Sequence, residues 1–253
     1  MTKQVFRLAV GVVALAAMAS SAFAQALPWE GRAYVNLNLG YQGGSKTDTQ
    51  GTTSVATYDE SGKITTSQSI ESKGGFFEVG AGIRLAGNFG VGVAYTRMKK
   101  VSDASVSASI PSPLIYDSFR SATASVSDLE HVEQAFHFHA IWMLPITDKF
   151  GVTFSAGPTV FRLKQGSVLS TTWAEVGSPY TSVTVTPTWG ETTGSRVGFN
   201  VGADVWYRFV NHLGIGATVR YAGKTFDLEP EGGNPMDVKV GGLQFGAGLR
   251  IRF

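Results

Sequence analysis

The chain has 253 residues, with 21 Lys and Arg against 19 Asp and Glu, 31 glycines and no cysteine. So even a charge balance leaves no basic field to hold nucleic acid. The missing cysteine excludes disulfides, zinc–thiolate sites and thiol nucleophiles. The glycine content is too high for an ordinary helical domain and suits a narrow β-barrel, whose interior has room for few large side chains.

Residues 1–24 read as a secretory signal peptide. Lys3 and Arg7 supply the positive start, residues 8–19 the apolar run, and Ala22-Phe23-Ala24 the cleavage site. The alternative, an uncleaved anchor, meets an apolar run shorter than the ~20 residues a spanning helix needs. Without Lys3 and Arg7 the 19 remaining basic residues equal the 19 acidic ones. Residues 25–253 fit one domain, and no other segment is long and apolar enough to cross a membrane as a helix.

After a short arm (residues 25–31) come eight segments with the period-2 alternation of strands. In 32–42, Ala33, Val35, Leu37, Leu39 and Tyr41 oppose Asn36, Asn38 and Gly40. In 75–85, Phe77, Val79, Ala81, Ile83 and Leu85 oppose Glu78, Gly80, Gly82 and Arg84. In 89–98, Phe89, Val91, Val93 and Tyr95 oppose Gly90, Gly92 and Ala94. In 129–144 the apolar face is Val132, Phe136, Phe138, Ala140 and Trp142. The fifth segment, 150–163, starts with Phe150, Val152, Phe154 and Ala156 on one face, and its phase weakens at Pro158, the mark of a bulge. The sixth, 196–209, sets Val197, Phe199, Val201, Ala203, Val205 and Tyr207 against Gly198, Asn200, Gly202 and Asp204. The seventh, 213–221, sets Leu213, Ile215, Ala217, Val219 and Tyr221 against Gly214, Gly216, Thr218 and Arg220. The last, from about Val240, alternates Leu243, Phe245, Ala247, Leu249, Ile251 and Phe253 with Gly242, Gln244, Gly246, Gly248, Arg250 and Arg252.

Each core is near the ~9–11 residues that a tilted strand needs to cross a bilayer. Short connections (86–88, 145–149, 210–212) alternate strictly with long ones rich in Ser, Thr, Gly and Pro (43–74, 99–128, 164–195, 222–239). A soluble sandwich or lipocalin-like barrel would also alternate, but its second face would be strongly charged. Here that face is mostly Gly, Asn, Thr and Ser, as a tight lumen requires. Aromatic residues gather at both ends of the apolar stripe: Phe89, Trp142, Phe150, Tyr207, Phe209 and Phe253 at one, Tyr41, Tyr95 and Tyr221 at the other. These are the expected interfacial girdles. The fold expected is therefore all-β: an eight-stranded antiparallel transmembrane up-and-down β-barrel with short periplasmic turns and four long external loops.

The terminal alternation ending on Phe253, the short–long connections and the girdles together resemble the small eight-stranded outer-membrane barrels of Gram-negative bacteria: the OmpA membrane domain, the OmpX/Ail group, OmpW and the opacity-type porins. The likeness covers residues 25–253 and is one of architecture. It implies a bacterial outer-membrane location and contact with lipid and lipopolysaccharide. It also implies recognition by the barrel-assembly machinery through Phe245, Leu249, Ile251 and Phe253.

By parity, Glu78, Glu133 and Asp204 share the lumen with Arg84, Arg208, Arg220, Arg250 and Arg252. Buried charges need partners, so these eight residues read either as a structural plug or as a gate on a narrow polar path. His131, Glu133, His137 and His139 share one face. His137 and His139 stand about 7 Å apart along their strand, a spacing that suits a metal if a neighbour adds a third ligand. The plainer reading is a pair of imidazoles bonded to lumen hydroxyls. No metal or other cofactor is implied.

Catalysis is not expected. The lipid A deacylases among such barrels resemble each other in an outward His-x-Ser pair that is absent here, and the barrel proteases have ten strands. In the loops, the alternation of Ser182 to Thr186 suggests hairpins standing above the membrane. Trp173, Tyr180 and Trp189 read as partner anchors or as residues packed together at the lipopolysaccharide surface, and Arg97, Lys99 and Lys100 are placed to meet lipopolysaccharide phosphates. The functions left open are a porin-like narrow passage for a small solute (through the lumen or sideways near Pro158), a structural envelope role, and adhesion to a surface receptor through the loops.

Overall fold

The structure, a computed structural model, describes residues 31–229 and 235–253. The expected signal peptide lies outside the described residues, as does the arm up to residue 30. Ten strands form: β1 (Ala33–Gly43), β2 (Lys46–Thr57), β3 (Glu60–Glu71), β4 (Gly74–Ala86), β5 (Phe89–Pro111), β6 (Phe119–Pro145), β7 (Phe150–Val176), β8 (Ser182–Val210), β9 (Leu213–Leu228) and β10 (Met236–Arg252). All pairings are antiparallel. Eight strands close a ring: β1 pairs with β4, β4 with β5, each following strand with the next, and β10 with β1. The ring is the predicted barrel, strand for strand.

Side-chain parity follows the alternation. Leu39, Ile83, Phe89, Val197, Phe199 and Ile215 are exposed on the outside, while Asn38, Glu78, Arg220 and Arg250 are buried inside. The turns at one end are short, at 87–88, 146–149 and 211–212.

The other end differs from a barrel with loops. Strands β5 to β8 run 23 to 29 residues, more than twice what a bilayer crossing takes. Much of the predicted loop sequence at 43–74, 99–128 and 164–195 is strand. β2 and β3 form a hairpin of their own, and β3 pairs with the upper half of β5, from Lys63 opposite Ser109 to Gln68 opposite Ala104. β4 pairs with the lower half, up to Met98. The sheet β2-β3-β5-β6 meets the β7–β8 hairpin around Ile64, Val106, Ala108, Ile110 and Val183, with Trp173 packed against them. Small apolar residues set among Ser and Thr are enough to fill a thin core between two sheets, and the polar composition of these segments hides that pattern.

The expected bulge at Pro158 is a second correction. His137 opposes Thr159 and Ala140 opposes Ala156, so the β6–β7 register is the same on both sides. The ladder is instead interrupted over Phe138, His139, Gly157 and Pro158. Proline has no N–H to donate, which interrupts pairing without adding a residue.

Candidate functional site

The lumen holds one continuous hydrogen-bonded chain of side chains. Arg250 grips Asp204 with Nε (2.9 Å to Oδ2) and Nη2, and its Nη1 donates to Asn38 Oδ1 at 2.6 Å. Asn38 Nδ2 donates to Glu78 Oε1 at 2.7 Å, and the other oxygen of Glu78 pairs with Arg220. Arg220 Nε donates to Gln244, Gln244 to Gln42, and Gln42 to Glu133, at 2.7–2.9 Å. Glu133 also accepts from Ser72 and from the Gly241 amide, and lies 2.8 Å from His131 Nε2. His131 Nδ1 ends the chain on Gln165. All but Asp204 are at least nine-tenths buried, so each charge depends on this wiring.

Five of the eight predicted lumen charges belong to the chain. The other three do not. Arg252 lays its guanidinium over the Trp206 ring, 3.7 Å from the centroid. Arg208 donates to the Asp148 carbonyl in the 146–149 turn, and Arg84 sits beside the 87–88 turn. Parity puts these arginines inside, but at the periplasmic mouth, where ring faces and turn carbonyls are within reach. The amides Asn38, Gln42 and Gln244 carry the links between charges. Their inward parity marks them in the sequence, but neutral side chains draw no attention there.

Above and below this chain the lumen is apolar. Tyr34, Ile141, Met143 and Trp206 pack together at the periplasmic end. Ile70, Phe161, Leu163, Phe226, Leu228, Val238 and Val240 fill the external end beside Glu133 and His131. The lumen glycines are sockets for these side chains. A Cβ at Gly82 or Gly92 would come within 2.7 Å of the Tyr34 ring or its hydroxyl, one at Gly151 within 2.3 Å of Trp206, and one at Gly198 within 2.9 Å of Phe161. The glycines thus fill the lumen rather than widen it. Between the plugs lies a cavity of about 50 Å³, lined among others by Asn38, Glu78, His139, Asp204, Arg220 and Arg250, with room for only a few water molecules.

His137 lies between two hydroxyls, Thr96 Oγ1 at 3.1 Å and Thr159 Oγ1 at 2.9 Å. Its ring stacks 6.1 Å from that of His139. Among the described residues no group of three or more His, Asp or Glu is placed to hold a metal ion. The neighbours that a metal would need as ligands are threonines.

Where the β6–β7 ladder is interrupted, Asn200 on β8 reaches across. Its amide nitrogen is 3.0 Å from the Gly157 carbonyl, 3.2 Å from that of Pro158 and 3.5 Å from that of Phe138. Outside this point an apolar groove of about 760 Å³ runs along the lipid-facing wall, lined by Ile83, Val91, Phe138, Pro158 and Phe253 among others. Tyr34, Val93 and His139 line both this groove and the inner cavity.

At the external tip, three hairpins are tied together. Arg120 on β6 pairs with Glu175 on β7 and donates to the carbonyls of Pro111 (2.5 Å) and Tyr180 (2.7 Å). Tyr58, in the β2–β3 turn, donates to Glu175 at 2.8 Å. Arg120 holds the Glu175 carboxyl below the usual glutamate range. Leu114, Ile115 and Tyr116 lie exposed beside this latch, as does Tyr180, and Trp189 is exposed lower on β8, opposite Val168. Trp173 alone of the three predicted anchors turns into the external core.

Of the predicted girdles, Phe89 stacks on Trp142 at 6.2 Å and Trp142 meets Phe154 at a tilt at one end, while Tyr95 meets Phe136 and Tyr221 meets Phe199 at the other. Tyr41, Tyr207, Phe209 and Phe253 are exposed on the same outer surface. On the last strand, Phe245 and Leu249 face outward as well.

A family model described as an outer membrane protein beta-barrel domain matches residues 10–250. No curated protein matches the chain. Among solved structures, the chain is similar to Neisserial surface protein A (14% identity, 87% of this chain and 97% of that one, TM-score 0.43). It is also similar to OprG of Pseudomonas aeruginosa (10%, 88% and 96%, TM-score 0.45). A third is Ail, the attachment invasion locus protein of Yersinia pestis, in complex with the heparin analogue sucrose octasulfate (12%, 87% and 99%, TM-score 0.39).

Proposed function

The chain belongs to the outer membrane protein beta-barrel domain family, and from that premise we propose that it is a non-catalytic surface protein whose barrel is a sealed anchor for its external β-module. The observation that carries this reading is the filled lumen: two apolar plugs, an ion-paired chain between them, and a cavity of only about 50 Å³. An eight-stranded barrel is about wide enough for side chains to fill, and here aromatic side chains seated on glycine sockets fill it. The external module, in contrast, has its own core and a three-hairpin latch. Such a preorganised platform loses little conformational entropy when a partner binds. Exposed Leu114, Ile115 and Tyr116 at its tip supply apolar contact area.

The test is conductance of the refolded barrel in planar bilayers, together with cell or receptor binding by the wild type and by a variant trimmed of residues 112–118. Silence in the bilayer and binding lost on trimming support the reading. Regular openings, with binding unaffected by trimming, refute it.

A second reading, sideways passage of a small apolar solute, rests on a separate observation. The interrupted β6–β7 ladder lies under an apolar groove, and Tyr34, Val93 and His139 line both that groove and the inner cavity. Uptake of an apolar dye by liposomes bearing the barrel, against liposomes without it, tests this reading directly.

A further inference from the structure

The outer wall of the barrel carries, at its external edge, two arginines with no ion-pair or side-chain hydrogen-bond partner among the described residues. Arg97 on β5 and Arg162 on β7 flank Gln134 on β6 in one hydrogen-bonded rank: Arg97 opposes Gln134, and Gln134 opposes Arg162. Both arginines are exposed, and neither makes an ion pair or side-chain hydrogen bond with any described residue. The rank on the membrane side is apolar: Tyr95, Phe136, Val160 and Val197, with the rings of Tyr95 and Phe136 in contact at 5.0 Å. On the far side the charges are balanced. Lys99 pairs with Glu130, and Lys164 bridges Glu130 and Glu191. Lys100 is 3.6 Å from Glu71. The lysines expected to meet lipid phosphates are thus neutralised by the protein itself, and the uncompensated positive charge sits one rank lower, where wall and bilayer surface meet.

We propose that Arg97, Gln134 and Arg162 form a binding site for the phosphate monoester of an outer-leaflet lipid headgroup. Two strand spacings of about 4.8 Å separate the arginines, so two long side chains can converge on one phosphate over Gln134, each guanidinium offering a planar fork of donors. The apolar rank below receives the acyl chains of the same lipid. The occupant is a lipid rather than a soluble anion because the arginines project from the lipid-facing wall and share it with Tyr95, Phe136 and Val197. The inference is independent of whether the barrel conducts or binds a receptor, since it concerns the outer wall alone.

The experiment is native mass spectrometry of the refolded barrel, released from nanodiscs of phosphatidylcholine doped with bisphosphorylated lipid A, with lipid A lacking its phosphates, or with inorganic phosphate alone. Wild type is expected to retain bisphosphorylated lipid A, and to lose it as salt is raised. The double variant R97Q/R162Q is expected to retain it about thirtyfold less, at about fivefold per cation near the membrane surface. R97K/R162K keeps the charge and is expected to retain an intermediate amount, which separates lost binding from lost folding. K99Q, at a residue held by Glu130, is expected to change retention less than twofold. Equal retention by wild type and R97Q/R162Q, or equal retention of phosphorylated and dephosphorylated lipid A, would overturn the proposal. So would retention of inorganic phosphate to the same extent as lipid A.

Discussion

A Cβ atom at Gly82 would sit 2.5 Å from Cε1 of Tyr34. The phenol ring therefore occupies the space a side chain on β4 would take, and Gly92 on β5 makes the same concession to its hydroxyl. This contact closes the periplasmic end of the lumen.

Gly82→Ala is accordingly expected to destabilise the barrel by about 1–3 kcal/mol through overpacking. The measurement is the midpoint of urea unfolding in detergent, followed by heat-modifiable migration on gels. Combining it with Tyr34→Ala should restore part of that loss, because the methyl group then fills space the ring has left. A double variant less stable than the sum of the singles contradicts the socket arrangement.

The ion pair of Glu78 and Arg220 supports a second expectation. Both side chains are about nineteen-twentieths buried, and each holds a further link of the lumen chain through Asn38 or Gln244. Removing one partner leaves an uncompensated charge, so Glu78→Gln and Arg220→Gln are each expected to cost about 3–5 kcal/mol. The double variant should cost less than the two singles together. A double-mutant cycle by equilibrium unfolding reads the coupling, and additive costs would mean that the pair does not act as one.

Acid should loosen the external latch. The Glu175 carboxyl is held down by the hydrogen bonds and charge of Arg120. Its folded pKa lies below its unfolded one, so its stabilising contribution is complete above the ordinary glutamate range of about 4–5 and is lost as pH falls through the depressed value. Protection against hydrogen exchange at residues 112–118 and 177–181, corrected for the intrinsic slowing of amide exchange in acid, should therefore fall in acid while the membrane strands stay protected. Arg120→Gln should give fast exchange at every pH and remove the acid dependence.

How much of this was readable from the sequence depends on what the alternation encodes. Lipid on one face and lumen on the other impose a strict period of two, so all eight barrel strands, their parity and the inward charges Glu78, Asp204, Arg220 and Arg250 could be read directly. The family match bears out the architecture. The external strands could not be read in the same way. Ile64, Val106 and Val183 bury one thin face among Ser and Thr, and no lipid compels the opposite face to be apolar. The glycines misled for a related reason. A glycine at an inward position looks like empty space until the ring that sits over it, supplied by another strand, is known. Pro158 reads as an irregularity, but a missing donor and an extra residue weaken the pattern alike, and the unchanged register on either side distinguishes them.

The interruption at Pro158 gives the last expectation. Asn200 supplies the hydrogen-bond donor that the β6–β7 ladder lacks there, reaching the carbonyls of Gly157, Pro158 and Phe138. Asn200→Leu removes it without changing the side chain's size much, and carbonyls left without a partner in a lipid-facing wall cost about 1–3 kcal/mol. Faster hydrogen exchange confined to β6 and β7 near residues 138 and 158 is the expected signature. If the wall is only a seal, apolar dye uptake by liposomes should remain at the level of protein-free liposomes even in this variant. If the groove outside Pro158 feeds a lateral path, weakening the wall here should raise uptake above wild type, and a smaller residue at Tyr34 should raise it further. The pair of variants thus separates an anchor from a passage at a place where the barrel wall is incompletely bonded by its own backbone.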